Sequence, residues 1–164
     1  MRSPRTAVLA AVIGIAAALG TATPALAAPS APATSAPATS RAEVIDVATR
    51  TGSTTATILV RYTCTGSAEQ VHTWVSVKQA KSLTSDKRLM EEGTGYGGVA
   101  AAWSQSHGGS PICDGKQHYS LFSVDQEEAG YGTLKRGMAY IQFCLFDAYN
   151  TQIPVSDMEF GYLL

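Results

Sequence analysis

Three chemically active side chains, Cys113, Asp114 and His118, lie within six positions in the stretch PICDGKQHYS. A thiolate, a carboxylate and an imidazole at this spacing can ligate a metal ion, since these are the groups that bind zinc and other transition metals. The same groups can transfer protons in catalysis, or they can mark the end of a strand. The choice among these three roles depends on whether Cys113 is a free thiol.

A hydrolase would need a nucleophile, a base and an orienting group, and the stretch WSQSHGGSP offers Ser104, Ser106 and His107, with Asp114 nearby. No nucleophile elbow accompanies these residues, and serine and histidine in a Gly-rich segment are typical of solvated turns. We therefore predict no catalytic residue. A secreted hydrolase that uses the region of His107 or His118 is kept as an alternative.

Two further motifs favour turns rather than ligand sites. GTGYGG (93–98) satisfies the dinucleotide fingerprint, but no βαβ unit surrounds it, so we interpret it as a hairpin or bulge. DQEEAG (125–130) lacks the spaced oxygen ligands of a calcium loop and predicts an acidic, solvated turn. No metal and no cofactor is predicted.

Aromatic side chains on an outward strand face carry the ligand-binding prediction. In QVHTWVSVK the face of Trp74 also holds His72 and Lys78, and alternation places Tyr140 on the corresponding face of MAYIQFCLF. Such rings can stack on sugars or anchor a protein partner, so these four residues are the candidate ligand contacts. Trp103 is predicted to be covered instead. Further aromatic candidates are Tyr96, Tyr131 and Tyr149.

An export signal is predicted ahead of the strands that carry these residues. In residues 1–27 two arginines precede a short apolar run that ends in the small-residue triplet ALA, which is typical of a cleaved signal peptide. Residues 28–41, rich in Ala, Pro, Ser and Thr, predict a disordered leader. The folded domain is expected over residues 42–164, secreted and without a membrane anchor.

The charge balance argues against polyanionic partners. The signal carries two of the 12 basic residues and none of the 13 acidic ones, so the secreted chain is mildly acidic. Binding to nucleic acid or to an anionic membrane surface needs a basic cluster, and the sequence shows none. We expect neither partner.

Alternating segments separated by Gly-rich or polar turns predict an all-β domain. The predicted strands are VIDV (44–47), TTATILVRYTC (54–64), QVHTWVSVK (70–78), GGVAAAWS (97–104), HYSLFSV (118–124), MAYIQFCLF (138–146) and QIPVSDMEFGYLL (152–164). The single helix expected is SDKRLMEE, with Ser85 as its N-cap and Gly93 as its stop. This pattern predicts an antiparallel, immunoglobulin-like β-sandwich with one disulfide.

Three cysteines, Cys64, Cys113 and Cys144, allow three pairings in an oxidising compartment. An immunoglobulin pairing would join Cys64 to Cys144 with Trp74 packed between the sheets. Alternation argues against it, because it places Cys144 and Trp74 on faces opposite the cleaner apolar sets. In AYIQFCLF that inward set is Ala139, Ile141, Phe143 and Leu145.

Residues 43–146 resemble an uncharacterised family of small secreted, disulfide-containing Ig-like proteins from actinomycete-type bacteria. The resemblance is carried by RYTCTG, the WVSV strand, GYGG and CDGKQH. It implies that Cys64 pairs with Cys113, so that Asp114 and Gly115 form a turn into a strand rather than part of a metal site. The third cysteine and the segment between Val77 and Gly93 depart from the family pattern. Cys144 is then an unpaired thiol that can link two chains.

The expected function is non-enzymatic binding of an extracellular ligand. The resemblance brings no known activity, and the residues favour an interaction module for a cell-wall or environmental polysaccharide or for an exported protein. One alternative is the hydrolase described above. Another is a protease inhibitor that presents residues 104–112 as a rigid loop held by Cys113.

Overall fold

The computed structural model describes residues 40–67, 69–92, 98–108, 110–149 and 155–164. Over these residues it contains seven strands and one short helix: β1 (Arg41–Arg50), β2 (Ala56–Thr65), β3 (Val71–Gln79), α1 (Arg88–Glu91), β4 (Ala102–Gly108), β5 (Asp114–Tyr131), β6 (Gly137–Asp147) and β7 (Val155–Leu163). The prediction of an all-β protein with one disulfide is confirmed. Within this part of the chain, no helix has the length and apolarity needed to cross a membrane.

Alternation of apolar and polar residues explains the core. On β2 the side chains at every second position from Ala56 to Cys64 are buried, as the sequence predicts. The inward set predicted for β6 is buried as well. These residues meet in the main core with Val75 and Val77 of β3 and with Val124 of β5.

The strands close into a barrel in the order β1-β2-β5-β4-β3-β6-β7. The expected sandwich has two sheets with free edges, but here β4 pairs along its length with β3 and also pairs with β5 at Trp103, Ser104 and Gln105. This double pairing joins β1-β2-β5 to β3-β6-β7, because β4 forms hydrogen bonds on both sides and leaves no sheet edge open there.

Strand β1 completes the closure on the other side. It runs antiparallel to β2, with a register shift between Val44 and Ala48, and its Val47 and Ala48 pair in parallel with Tyr162 and Leu163 of β7. The irregular segment bends β1 from one neighbour toward the other, which is the usual effect of a bulge. β1 already begins one residue before the expected domain start. The predicted signal peptide and residues 28–39 of the leader lie outside the described residues.

Two local predictions need correction. The helix is shorter than expected, since α1 follows Lys87 as its N-cap rather than Ser85; Gly93 lies outside the described residues. The acidic segment 125–130 belongs to β5 instead of forming a turn. There the pairing with β4 is irregular. The side-chain amide of Gln126 donates through Nε2 to the Trp103 carbonyl at 2.9 Å and to the Gly132 carbonyl at 3.1 Å.

A second apolar cluster lies outside the barrel. Leu89 of α1, Ala80 and Ala100 pack against Trp103 of β4 and Tyr140 of β6. The connection between β3 and β4 therefore covers part of the outer sheet surface, which the sequence pattern had presented as solvent-facing.

Candidate functional site

The disulfide joins Cys64, near the end of β2, to Cys113, just before β5, with their Cα atoms 4.5 Å apart. This confirms the pairing that the family resemblance implied. Since β2 and β5 are neighbours in the barrel, the bridge fixes the end of a pair that is already hydrogen-bonded. Cys113 is therefore not available as a thiolate ligand or nucleophile.

Asp114 organises the irregular start of β5, next to the disulfide. Its Oδ1 accepts the Lys116 amide at 2.9 Å and lies 2.7 Å from Nε2 of His118, while Gly115 has a φ of 80° that favours glycine. The His118 hydrogen bond, followed by the Lys116 amide, lowers the pKa of Asp114. No group of three metal-binding side chains occurs among the residues that the structure describes. The turn expected at Asp114 and Gly115 is thus the first part of β5, where its register with β2 shifts beside the disulfide.

The four candidate ligand contacts are divided by the structure. His72 is exposed and Trp74 is half-buried, with its indole Nε1 donating to Oε1 of Gln105 at 3.0 Å. Lys78 and Tyr140, in contrast, are buried beneath the β3–β4 connection. The outward face of β3 that the sequence predicts is therefore open only at the His72 end, and a ligand cannot reach the other two side chains without displacing that connection.

The covered half of the face is a packed polar and aromatic layer. Trp103 is buried as predicted, and its Nε1 donates to Oγ of Ser76 at 3.1 Å. The ring of Tyr140 packs on Phe160 with centroids 5.2 Å apart. Burial lowers the pKa of Lys78, and the charge of Glu92 acts in the opposite direction. These contacts explain the covered half as a structural element rather than a ligand site.

At the open end, four side chains from three adjacent strands form what we call the histidine face: His72 and Trp74 of β3, His107 of β4 and Phe146 of β6. The Phe146 ring lies 5.8 Å from the His72 ring and 6.1 Å, edge-on, from the His107 ring. Trp74 is directly opposite His107 in the β3–β4 register. An open cavity of about 310 Å³ adjoins this face and is lined by His72, His107, Gly108 and Ser110.

His107 is held by an acid from a different strand. Its Nδ1 lies 2.6 Å from Oε2 of Glu128 on β5, and this hydrogen bond lowers the pKa of Glu128. The contact fixes the orientation of the imidazole. In the sequence Glu128 belongs to a segment that predicts an acidic turn, and no spacing links it to His107.

The serines of the hydrolase alternative serve the fold. Ser104 is buried and donates to the Thr54 carbonyl at 2.8 Å, while Oγ of Ser106 accepts the Asp125 amide at 3.2 Å. Both belong to β4, as do all residues from Ala102 to Gly108. The inhibitor alternative expects residues 104–112 to be a loop. That expectation is wrong for residues 104–108, which belong to β4.

Cys144 is a free, buried cysteine directly opposite Trp74 in the β3–β6 register. Burial raises the pKa of its thiol to about 11. Of the other aromatic candidates, Tyr131 donates to the Ala100 carbonyl at 3.0 Å beside Trp103, whereas Tyr149 is exposed. Tyr96 and most of GTGYGG lie outside the described residues.

Fold and site together define a closed all-β barrel with one disulfide and one open aromatic and histidine surface. No protein-family model, no curated protein and no solved structure matches the chain significantly.

Proposed function

We propose that this protein is an exported, non-enzymatic binding module that recognises an extracellular polysaccharide through its histidine face. The observation that carries the proposal is the grouping of the exposed His72 and His107 with the half-buried Trp74 and Phe146 beside an open cavity. Flat rings next to fixed hydrogen-bonding groups suit a sugar, because the apolar side of a pyranose stacks on the ring while its hydroxyls find polar partners.

Export is supported by two features that are independent of this face. The sequence of residues 1–27 is typical of a signal peptide. The disulfide between Cys64 and Cys113 suits an oxidising compartment, because reducing compartments keep thiols free.

We also propose an immunoglobulin-like ancestry for the barrel, on the basis of its strand order. An immunoglobulin constant-type domain places its first, second, fifth and fourth strands in one sheet and its third, sixth and seventh in the other. The order here has the same two groups, β1-β2-β5-β4 and β3-β6-β7. The differences are the added pairings of β4 with β3 and of β1 with β7, which close the two groups into one barrel.

The experiment is co-sedimentation of the purified secreted chain with insoluble cell-wall material and with insoluble environmental polysaccharides. We expect the wild type to sediment with at least one polymer and Trp74→Ala to weaken that binding about tenfold, since a lost aromatic anchor costs about 1.4 kcal/mol or more. Met90→Ala removes an exposed apolar side chain on α1, outside the histidine face, and is the control. Absence of the wild type from every pellet, or equal binding by Trp74→Ala, would reject the proposal.

One observation favours the hydrolase alternative. His107 is oriented by Glu128, and Ser110 lines the same cavity, so a base, its orienting acid and a hydroxyl share one place. Turnover of an ester or glycoside that is lost in both His107→Ala and Ser110→Ala would support hydrolysis. Turnover by neither the wild type nor the variants over a broad substrate panel would leave binding as the function.

A further inference from the structure

The outer surface of four adjacent strands, β5, β2, β1 and β7, exposes many apolar side chains. Leu121 is 70% exposed, Tyr162 48% and Val47 45%. Large contiguous apolar patches on an exported protein usually mark an interaction surface, whereas single exposed apolar residues need no explanation. The pairing of the strands determines whether these residues are scattered or contiguous.

The strand registers bring these three and the half-buried Leu59 into one row. Leu121 of β5 pairs with Leu59 of β2, and Val47 of β1 pairs with Tyr162 of β7. The register shift in β1 places residues 45–47 opposite Leu59, because Val44 pairs with Val60 and Ala48 with Ile58. The apolar row therefore crosses all four strands, over about 14 Å between the outer two at the usual strand spacing.

A second, mixed row runs beside the first. Tyr119 pairs with Arg61, and Arg61 pairs with Glu43 and forms an ion pair with it. On β7 the row ends near Met158, because the Val44 amide, next to Glu43, donates to the carboxylate of Asp157 at 2.6 Å. Tyr119 and Met158 are both exposed. The second row thus carries one basic and one acidic residue between two apolar ends.

Both rows have the same centre, midway between β1 and β2, and this makes the surface complementary to itself. A two-fold axis that lies in the interface and passes through that centre, parallel to the strands, exchanges β2 with the partner's β1 and β5 with the partner's β7. It places Leu59 over Val47 and Leu121 over Tyr162 in the first row. In the second row it places Arg61 over Glu43 and Tyr119 over Met158.

We propose that a second copy of this chain occupies the surface, forming a two-fold symmetric dimer through the outer faces of β5, β2, β1 and β7. The charge pattern selects this occupant, because in these two rows each cation meets an anion and each apolar residue meets another apolar residue in an isologous contact. A strongly charged partner would find no matching field in these two rows, because the charges of Glu43 and Arg61 cancel. Sheets pack face to face in this way at about 10 Å separation.

The dimer does not depend on the proposed function, since β3, β4 and the end of β6 carry the histidine face and none of them contributes to this surface. Two ligand faces per dimer would add avidity on a repetitive polymer, because the second attachment becomes intramolecular. Either property can fail without the other.

The first test is the mass of the secreted chain in solution, measured by sedimentation velocity over a range of concentrations. We expect a monomer–dimer equilibrium for the wild type and a monomer for Leu121→Lys, whose ammonium would be buried against Tyr162 of the partner subunit. Met90→Lys makes the same change at an exposed apolar residue on α1 and should keep the dimer. A wild type that stays monomeric at its highest soluble concentration would overturn the proposal.

The second test uses charge reversal and measures a gain in association when two variants are mixed. Loss of the dimer in a single variant therefore does not decide it. Glu43→Arg alone and Arg61→Glu alone place like charges against each other across the axis, so each should be monomeric. An equimolar mixture restores both opposite-charge contacts and should yield heterodimers with at least about tenfold tighter association than either variant alone. Circular dichroism checks that both variants fold. No gain on mixing the two folded variants would overturn the axis proposed here.

Discussion

Cys64 and Cys113 form a disulfide between β2 and β5, two strands that are already hydrogen-bonded neighbours. The two cysteines are 49 positions apart in the sequence, so the bridge closes a long loop of the chain. The bridge acts chiefly on the unfolded chain, because it removes conformations that the open chain could otherwise adopt. The barrel hydrogen bonds next to it do not require it. The native geometry should therefore survive its removal better than the stability does.

We predict that Cys64→Ala/Cys113→Ala lowers the free energy of unfolding by about 4 kcal/mol, the chain-entropy value for a loop of this size. Urea denaturation followed by circular dichroism measures the change. Cys144→Ala, which removes a cysteine but keeps the bridge, is the control. A loss of less than about 1 kcal/mol in the double variant would show that the bridge constrains little.

Substitution of Trp103 should lower the free energy of unfolding more than substitution of Trp74. For ligand binding we expect the opposite order, with Trp74 the more important. Trp103→Phe removes the indole donor to Ser76 and leaves space in the second apolar cluster, at a cost of about 2 kcal/mol. Trp74→Phe loses the hydrogen bond to Gln105 at a half-exposed site and should cost less than about 1 kcal/mol. Equal losses in urea unfolding would contradict the assignment of Trp103 to a buried layer.

Gly132 is required by backbone packing between β5 and the start of β4. Its φ is 75°, and a Cβ there would lie 2.2 Å from the Ala101 carbonyl oxygen, which belongs to the backbone and cannot turn away. Gly132→Ala should therefore destabilise the protein by about 3 kcal/mol. Gly98→Ala shares the strained φ of 82° without any close neighbour and should cost only about 1 kcal/mol. Thermal unfolding of the two variants compares the costs, and similar midpoints would exclude the clash.

Period-two alternation was sufficient to predict the inner surface of the barrel. It identified the buried faces of β2 and β6, since an apolar residue at every second position leaves one choice of inward side. It failed on the outer surface of β3 and β6, where Lys78 and Tyr140 alternate like exposed residues. Ala80, Leu89 and Ala100 of the following connection lie over this surface. A strand pattern carries no information about a distant segment that packs over it.

The surface proposed for dimerisation is likewise only partly predictable from the strand pattern. HYSLFSV already places Tyr119 and Leu121 on one face, opposite His118 and Phe122. Their neighbours on that face, Leu59 and Val47, become visible only through the registers, and Val47 only through the shift in β1. Likewise the contact between His107 and Glu128 depends on the order of β4 and β5 in the barrel, which sequence periodicity does not encode.

Acid should weaken the fold through two histidine–carboxylate pairs. The pKa of Asp114 is lowered from 3.8, chiefly by the His118 hydrogen bond, and that of Glu128 from 4.5, chiefly by the His107 hydrogen bond. A carboxyl with a lowered folded-state pKa stabilises the fold above its ordinary pKa, and the stabilisation is lost as the pH falls through the folded-state value. The loss therefore begins near pH 4.5 and continues below 3.8.

Urea midpoints measured at pH 7, 5, 4 and 3 test this dependence, and each of Asp114→Asn and Glu128→Gln should make the midpoint fall less steeply below pH 5. Glu127→Gln, at the exposed residue beside Glu128, is the matched control and should follow the wild type. If both variants lose stability in acid as steeply as the wild type, the pairs are not the source of the acid sensitivity.

Cys144 should react slowly while the protein is folded. Its thiol is buried opposite Trp74, and raising its pKa from 9.0 to about 11 reduces the thiolate fraction at neutral pH about 100-fold, before the effect of restricted access. Alkylation with iodoacetamide, followed by mass spectrometry, should be complete within minutes in urea and slow in buffer. A dimer held by the outer face of β1 and its neighbours would then separate into single chains in non-reducing denaturing electrophoresis. A covalent dimer band that disappears in Cys144→Ser would instead show that this thiol reaches solvent, and that the sequence-based expectation of a Cys144-linked dimer is right.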